Sequence, residues 1–352
     1  MITVTQGLSG KYFSASIPDV VITMTGYRLA TVMSISTDGK TWKEIYSEHL
    51  FPVDGSIKIG DLSTLLMPFA RQSLDLQLKI EMTEEFSDSD STQKNTQSCE
   101  IVYCAAEIDT TCADFVDNYF LSILMGTKTT SIGRLEYLHY LSKDAATAYC
   151  TYSDGSHKSF PLTAIGGNAN FTTIDVSPSQ FIVAGKTLVS FYVTAGNRRQ
   201  DYWIDQENPD CAPILIFMNS FGVEELFYCT GVLTKSPSIK YETAYVESKE
   251  KNIKITETRT FKADTGPLSA AEAEWFGDLL RSDYIRVLTI KAGKLKISKE
   301  VVISEQKSDQ TNEDDEIFRF TFSYHYAQLN HNVVEMYREG RIFDNTFDYT
   351  FN

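Results

Sequence analysis

The stretch FKADTGPLSAAEAEWFGDLLRSDYIRVL, residues 261–288, decides how this chain is read. It runs strand, turn, short helix, strand. Ser269 is placed to cap the helix, and Glu272, three residues on, closes a capping box. Trp275, Phe276, Leu279 and Leu280 recur at i, i+4 spacing and make an apolar stripe. Glu274, Asp278 and Arg281 are expected to face away from it. Trp275 and Leu279 are therefore expected to be buried against a sheet. The clearest helix signal in the chain carries packing residues and no reactive ones.

Outward from that helix the dominant pattern is period-2 alternation. Leu74, Leu76, Leu78, Ile80 and Met82 alternate with polar residues, and Phe318, Phe320, Phe322, Tyr324 and Tyr326 do the same with rings. Such runs are half-buried antiparallel strands. Asp38-Gly39, Asp54-Gly55 and Asp154-Gly155 supply the positive-φ turns that join strand pairs. The 19 Tyr and 21 Phe suit strands as well.

The 352 residues suffice for two or three domains. The fold class expected is mainly β: two antiparallel β-sandwich-like domains, then a small α+β domain with one short helix on a sheet. The boundaries read as 1–112, 113–238 and 239–352, with KSPS (235–238) as the second junction. DGSIKIGDLSTLL (54–66) reads as strand. The polar stretch TEEFSDSDSTQKNTQS (83–98) has no periodicity and reads as an extended, mobile hairpin loop. The C-terminal segment 330–352 is too aromatic for plain disorder. Two readings stand side by side: an arm that docks on a neighbour through Phe343, Phe347, Tyr349 and Phe351, or a last strand packed on its own domain.

Charge and composition narrow the function classes. A net charge of −15 argues against free nucleic-acid binding, which requires a basic face. Apolar runs such as 212–217 fall far short of the ~20 residues of a membrane helix. MITVTQGLSGKYF has no basic segment followed by an apolar core, which leaves a protein that acts where it is made or a mature form already trimmed, and Met1 favours the first. The six cysteines lack C-x-x-C spacing and mostly sit in apolar strands, as in VYCAA and FYCTG. Buried free thiols of a reducing compartment are expected.

No residue set announces catalysis, a cofactor or a metal. His49, His139, His157, His325 and His331 form neither H-x-x-x-H nor H-E-x-x-H. His325 reads as a solvent-facing strand residue and His157 as an exposed turn residue. G-x-S-x-G, a Walker loop and G-x-G-x-x-G are absent, and GGNAN (166–170) is not followed by a helix. The acidic runs EEFSDSD (84–90) and NEDDE (312–316) lack the ligand spacing and Gly turn of a calcium loop. A carboxylate pair for glycoside cleavage assembles only in three dimensions, and nothing in the sequence selects one. Trp42 and Trp203 are the candidates for stacking on a sugar.

The run PILIFMNSFGVEELFYCTG (213–231), with Asn219 and Gly222, resembles structural proteins of tailed-phage tails and baseplates, especially those of phages and prophages of anaerobic gut bacteria. The segment 235–282 that follows, with its TG-L-S-x-x-E helix and the LLRSDYI strand, is similar to the same group. So is FPVDGSIKIGDLSTLL (51–66). The resemblance covers most of the chain in style, through short packing motifs. It implies a mechanical, non-enzymatic role in the virion tail, assembled in the host cytoplasm: a ring or collar subunit that joins tail components or holds receptor-binding proteins. Its partners would be copies of itself and other tail proteins, without nucleic acid or membrane. The acidic stretch of the first block and the C-terminal segment are where contacts are expected. A carbohydrate-binding surface protein of several β-sandwiches is the alternative.

Overall fold

The computed structural model describes residues 2–328 apart from 88, 169, 292–293 and 308–316. It is mainly β and built from several sheets. The first body pairs a five-stranded sheet, ordered Lys11–Phe13, Ser89–Val102, Asp75–Phe86, Arg28–Ser36, Lys43–Leu50, with a three-stranded one, Thr3–Gln6, Val20–Thr23, Ser56–Ile59. Alternation turns Leu76, Leu78, Ile80 and Met82 inward, where they meet Val20, Ile22, Ile57 and Ile59 in one cluster. The second body repeats the plan. Strands His157–Leu162, Ala146–Tyr152, Leu188–Ala195, Arg198–Ile204 and Thr127–Thr130 face Tyr137–Leu141, Phe171–Asp175 and Ala164–Gly167. Tyr140 and Ile174 of the small sheet pack with Phe191 and Tyr202 of the large one.

The third body is one seven-stranded sheet. Its order is Glu224–Tyr228, Ile214–Met218, Ile285–Lys291, Lys294–Lys307, Thr321–Tyr326, Lys249–Asp264, Thr234–Val246. The expected boundary at 238 therefore misassigns two strands to the second block and cuts a third. Ile214–Met218 pairs with Ile285–Lys291 across Phe217↔Ile285 and Ile214↔Leu288. Nothing in PILIFM distinguishes a strand that pairs with its neighbours in sequence from one that pairs seventy residues on.

Among the described residues two further α-helices accompany the expected one. α1, Leu62–Ser73, lies where a strand was expected. Leu62, Leu66 and Ala70 recur at i, i+4 and enter the first core. Pro68 inside the helix, which removes one backbone donor, hides that periodicity. α2, Cys112–Asn118, straddles the expected first boundary. Its Phe115 and Val116 share a cluster with Phe13 and Val102 of the first body and with Phe221 and Val223 of the third. α2 is thus a node between bodies.

The polar stretch 83–98 is a ladder rather than a loop. Glu81↔Thr96, Thr83↔Lys94 and Glu85↔Thr92 pair in register. Residues 92–98, TQKNTQS, are polar on both faces, so hydrophobic periodicity does not report them. The acidic run 84–90 starts with an anchor: Glu84 is buried and accepts from the backbone N–H of Thr25 (2.9 Å) and Gly26 (2.6 Å).

α3, Ala270–Arg281, matches the helix expected from the opening stretch. The Ser269 hydroxyl accepts from Glu272 N–H (3.3 Å), and a Glu272 carboxylate oxygen accepts from Ser269 N–H (3.0 Å). Trp275, Phe276 and Leu279 are buried among Leu215, Phe227, Phe261 and Phe322, with Leu280 half-buried at the margin. Asp278 is the exception. Expected outside, it is 1% exposed. Its carboxylate accepts from Ser220 N–H (3.1 Å) and from the Ser220 hydroxyl, which satisfies a buried charge. This holds the turn after Ile214–Met218 against the helix. Gly222 in that turn has φ 75°, and a Cβ there would lie 2.8 Å from the Tyr103 ring of the first body.

Candidate functional site

Two features stand out: a buried polar junction between the second and third bodies, and a hairpin that extends from the third.

The junction grows from the capping box. Glu272 has a second oxygen to offer, and it accepts from Thr129 N–H (2.7 Å) on the edge strand of the second body. Next to Thr129, Lys128 Nζ donates to Glu136 (2.7 Å) and lies 4.4 Å from the Trp275 ring centroid. Trp275 Nε1 donates to Glu225 (2.8 Å), and Thr130 Oγ1 donates to Glu136 (2.7 Å). Burial pushes the Glu225 carboxyl up, against the lowering effect of the Trp275 bond and Lys128. Helix cap, indole and sheet edge thus act as one fastening. A small cavity of ≈ 100 Å³ adjoins it, lined by Lys128, Glu272 and Trp275.

His139 forms a second link. Its ring bonds Thr173 Oγ1 (3.0 Å) and the Glu224 carbonyl of the third sheet (3.0 Å), and it stacks on Phe171. The Glu224 bond requires the Nε2–H tautomer, leaving Nδ1 to accept from Thr173. Desolvation lowers its pKa from 6.5 to about 4. Since the folded state holds this proton less tightly than the unfolded chain, its contribution is complete above pH 6.5 and is lost as pH falls towards 4. The loss should reach ~3 kcal/mol. Denaturant unfolding of the wild type and of His139→Gln from pH 7 to pH 4 tests it: the wild type should lose more stability than the variant across that window, and equal losses would refute the assignment.

The thiols are poor nucleophiles here. All six cysteines are free and five are buried. Burial pushes Cys99, Cys104, Cys112 and Cys150 up to about 12. His157 is exposed at its turn and His325 half-buried. Among the described residues, no group of three or more His, Cys, Asp and Glu is arranged to hold a metal, and no helix is long and apolar enough to cross a membrane. The acidic run 312–316 lies outside the described residues.

A cleft of ≈ 650 Å³ opens between the first and second bodies, lined by Lys11, Asp38, Lys40, Asp75, Glu100 and Lys143 among others. Several of its charges serve one another and the frame. Lys11 pairs with Glu100 (3.0 Å), Asn170 donates to Asp75 (2.7 Å), and Lys143 donates to the Phe171 carbonyl (2.8 Å). None of its lining residues is aromatic. Of the two tryptophans considered for sugars, Trp42 is half-buried beneath Lys79 and Trp203 is 55% exposed on its strand.

The hairpin joins Thr234–Val246 to Lys249–Asp264 in an unbroken antiparallel ladder with one bulge after Glu242. Strand Thr321–Tyr326 flanks it only from Asp264 to Thr260. Beyond Thr260 no described strand pairs with it, so it stands out as a two-stranded arm. Paired residues share a face, which puts Ile239, Tyr241, Tyr245 and Ile255 on one side, together with Glu250 opposite Tyr245 and Glu257 opposite Ile239, and Lys240, Glu242, Lys251 and Lys254 on the other. The polar side is knit by Lys254 to Glu242 (3.0 Å). The side that carries the rings is open to solvent: Tyr245 is 80% and Tyr241 56% exposed, with glutamates among them. Glu247 and Ser248 at the tip have φ 54° and 62°, the two-residue turn that matches strand twist, built here without glycine. The sequence held the signal in IKYETAY (239–245), but reading KSPS as a linker concealed it. Phe343, Phe347, Tyr349 and Phe351 lie outside the described residues.

No family model matches the chain, and no curated protein matches it. Among solved structures, trypsin-activated alpha-2-macroglobulin from Escherichia coli is similar at 8% identity with a TM-score of 0.24, over 85% of this chain and 23% of that one. A likeness at that level carries no argument about fold or function.

Proposed function

We propose that this chain is a structural assembly subunit without enzymatic activity, of a virion tail or baseplate ring or collar that joins tail components or anchors receptor-binding proteins. The observation that carries it is the arm. An isolated two-stranded ribbon is marginal in water, and one that exposes Ile239, Tyr241, Tyr245 and Ile255 on one side is a surface built to be covered. Behind it, buried contacts at α2, and of Thr129 and Lys128 with Glu272 and Trp275 of α3, fasten three β-rich bodies, as a part under load requires. The tail assignment is supported by the resemblance of 213–231 and 235–282 to tail proteins. Mass spectrometry of density-purified phage or induced-prophage particles tests it. The chain should co-purify at a fixed ratio to the major capsid protein; particles that form without it would refute the reading. Exposed Trp203 favours the carbohydrate-binding alternative, which a glycan array on the recombinant protein addresses.

A further inference from the structure

The buried cations among the described residues are Lys128, Arg134 and Arg198. Lys128 has Glu136 at 2.7 Å, and Arg198 has Asp144 at 2.9 Å. Arg134, only 8% exposed, forms no ion pair among the described residues. Its guanidinium lies over the Tyr228 ring of the third body, 5.1 Å from the centroid, and beside the Cys211 thiol, a weak acceptor. Nη1 donates to the Thr129 carbonyl at a long 3.4 Å, and Nε meets no acceptor among the described residues.

The shortage of acceptors is local. Arg134 closes a turn by donating its N–H to the Ser131 carbonyl (3.0 Å), and the buried Ser131 hydroxyl also has no partner among the described residues. Tyr228 fixes the turn from the third body: its hydroxyl accepts from Leu135 N–H (2.8 Å) and donates to the Leu135 carbonyl (2.9 Å). A water satisfies a hydroxyl. A buried guanidinium is a different case, because water solvates it without neutralising it, and buried charges in proteins are paired.

Arg134 lines the ≈ 100 Å³ cavity beside the Glu272 fastening, with Lys128, Thr230, Thr265 and Asp205. That is the volume of about three waters, which suits one small tetrahedral ion. We propose that this cavity binds a free oxyanion of the phosphate class, held by Arg134 with Lys128 beside it, and that the ion locks the second body to the third. Guanidinium donors are planar and charged, the geometry that oxyanions accept. Two carboxylates border the space as well. Glu272 is already met by Thr129 N–H, Ser269 N–H and the Ser269 hydroxyl, at the positive end of α3. Asp205 accepts from Glu207 N–H (3.0 Å) and makes no ion pair with Arg134, so it is the group that opposes the ion. The site does not depend on the assembly reading.

Urea unfolding of the full chain at neutral pH, with potassium phosphate exchanged for potassium chloride at constant ionic strength, tests this. Phosphate should stabilise the wild type saturably, multiplying the folding constant ~100-fold at about 100 times Kd. Arg134→Gln should stay close to the wild type in chloride, where it removes an unpaired charge. It should fall behind in phosphate, with binding weakened ~10–100-fold. Asp205→Asn should bind phosphate more tightly, because a like charge is gone. Isothermal titration of phosphate into the wild type and Asp205→Asn decides the matter even if Arg134→Gln does not fold. Wild-type stability that follows ionic strength alone would overturn the site. So would phosphate binding unchanged in Arg134→Gln, or weakened in Asp205→Asn, which would make Asp205 the partner of Arg134 through water. Glycerol 3-phosphate binding more tightly than phosphate would overturn the free ion as ligand.

Discussion

Trp275→Ala should destabilise the third body by ~3–5 kcal/mol. The indole is 3% exposed and packs on Phe217 and Phe227 at ring-centroid separations of 6.0 and 5.1 Å. Truncation leaves a cavity where α3 meets the sheet. It also removes the Nε1–H donor to Glu225, a carboxyl already pushed up by burial, and the ring over which Lys128 sits. Trp275→Phe should cost less, because most of the volume stays and only the donor is lost. Urea unfolding followed by far-ultraviolet circular dichroism measures both, and hydrogen exchange of α3 localises the loss. A cost for the alanine variant below ~1 kcal/mol would mean that the helix is not docked through this side chain.

The helix was legible because every local signal agreed: cap, box and stripe all fell within twelve residues. The strands of the first body were legible for the same reason, since Leu76, Leu78, Ile80 and Met82 are each buried by simple alternation. Pairing partners were not legible. Ile214–Met218 is continuous apolar sequence with no mark of the sheet it joins, and only long-range register assigns it. Strands with two polar faces, such as 89–98, give no periodic signal. Asp278 shows the converse: its position off the apolar stripe predicts exposure, and a partner on a distant turn, Ser220, reverses it. The arm falls between these cases. Its alternation was present, but a ribbon turn of Glu247 and Ser248 lacks the Asn-Gly signature by which hairpins are found.

Lys128→Met should be as damaging as the loss of Trp275, for a different reason. Glu136 is 1% exposed, and its two oxygens are met by Lys128 Nζ and Thr130 Oγ1. Removing the ammonium strands a buried carboxylate with one hydroxyl, which costs ~3–5 kcal/mol. Removing both charges is a different matter. In Lys128→Met/Glu136→Met no ion is left without its partner, the desolvation of two charges disappears, and the apolar stem of residue 128 still covers the Trp275 ring. The double variant should lie within ~1–2 kcal/mol of the wild type, on either side of it. The two single variants and the double form a cycle whose coupling, measured by denaturant unfolding, should be at least ~2 kcal/mol. A coupling near zero would show that the pair is solvated and does not hold the edge of the second body in place beneath the Trp275 ring. Strong coupling with a tolerated double variant would show that the charges fix the conformation of the second body's edge, while the apolar contacts around Trp275 supply most of the stability of the joint.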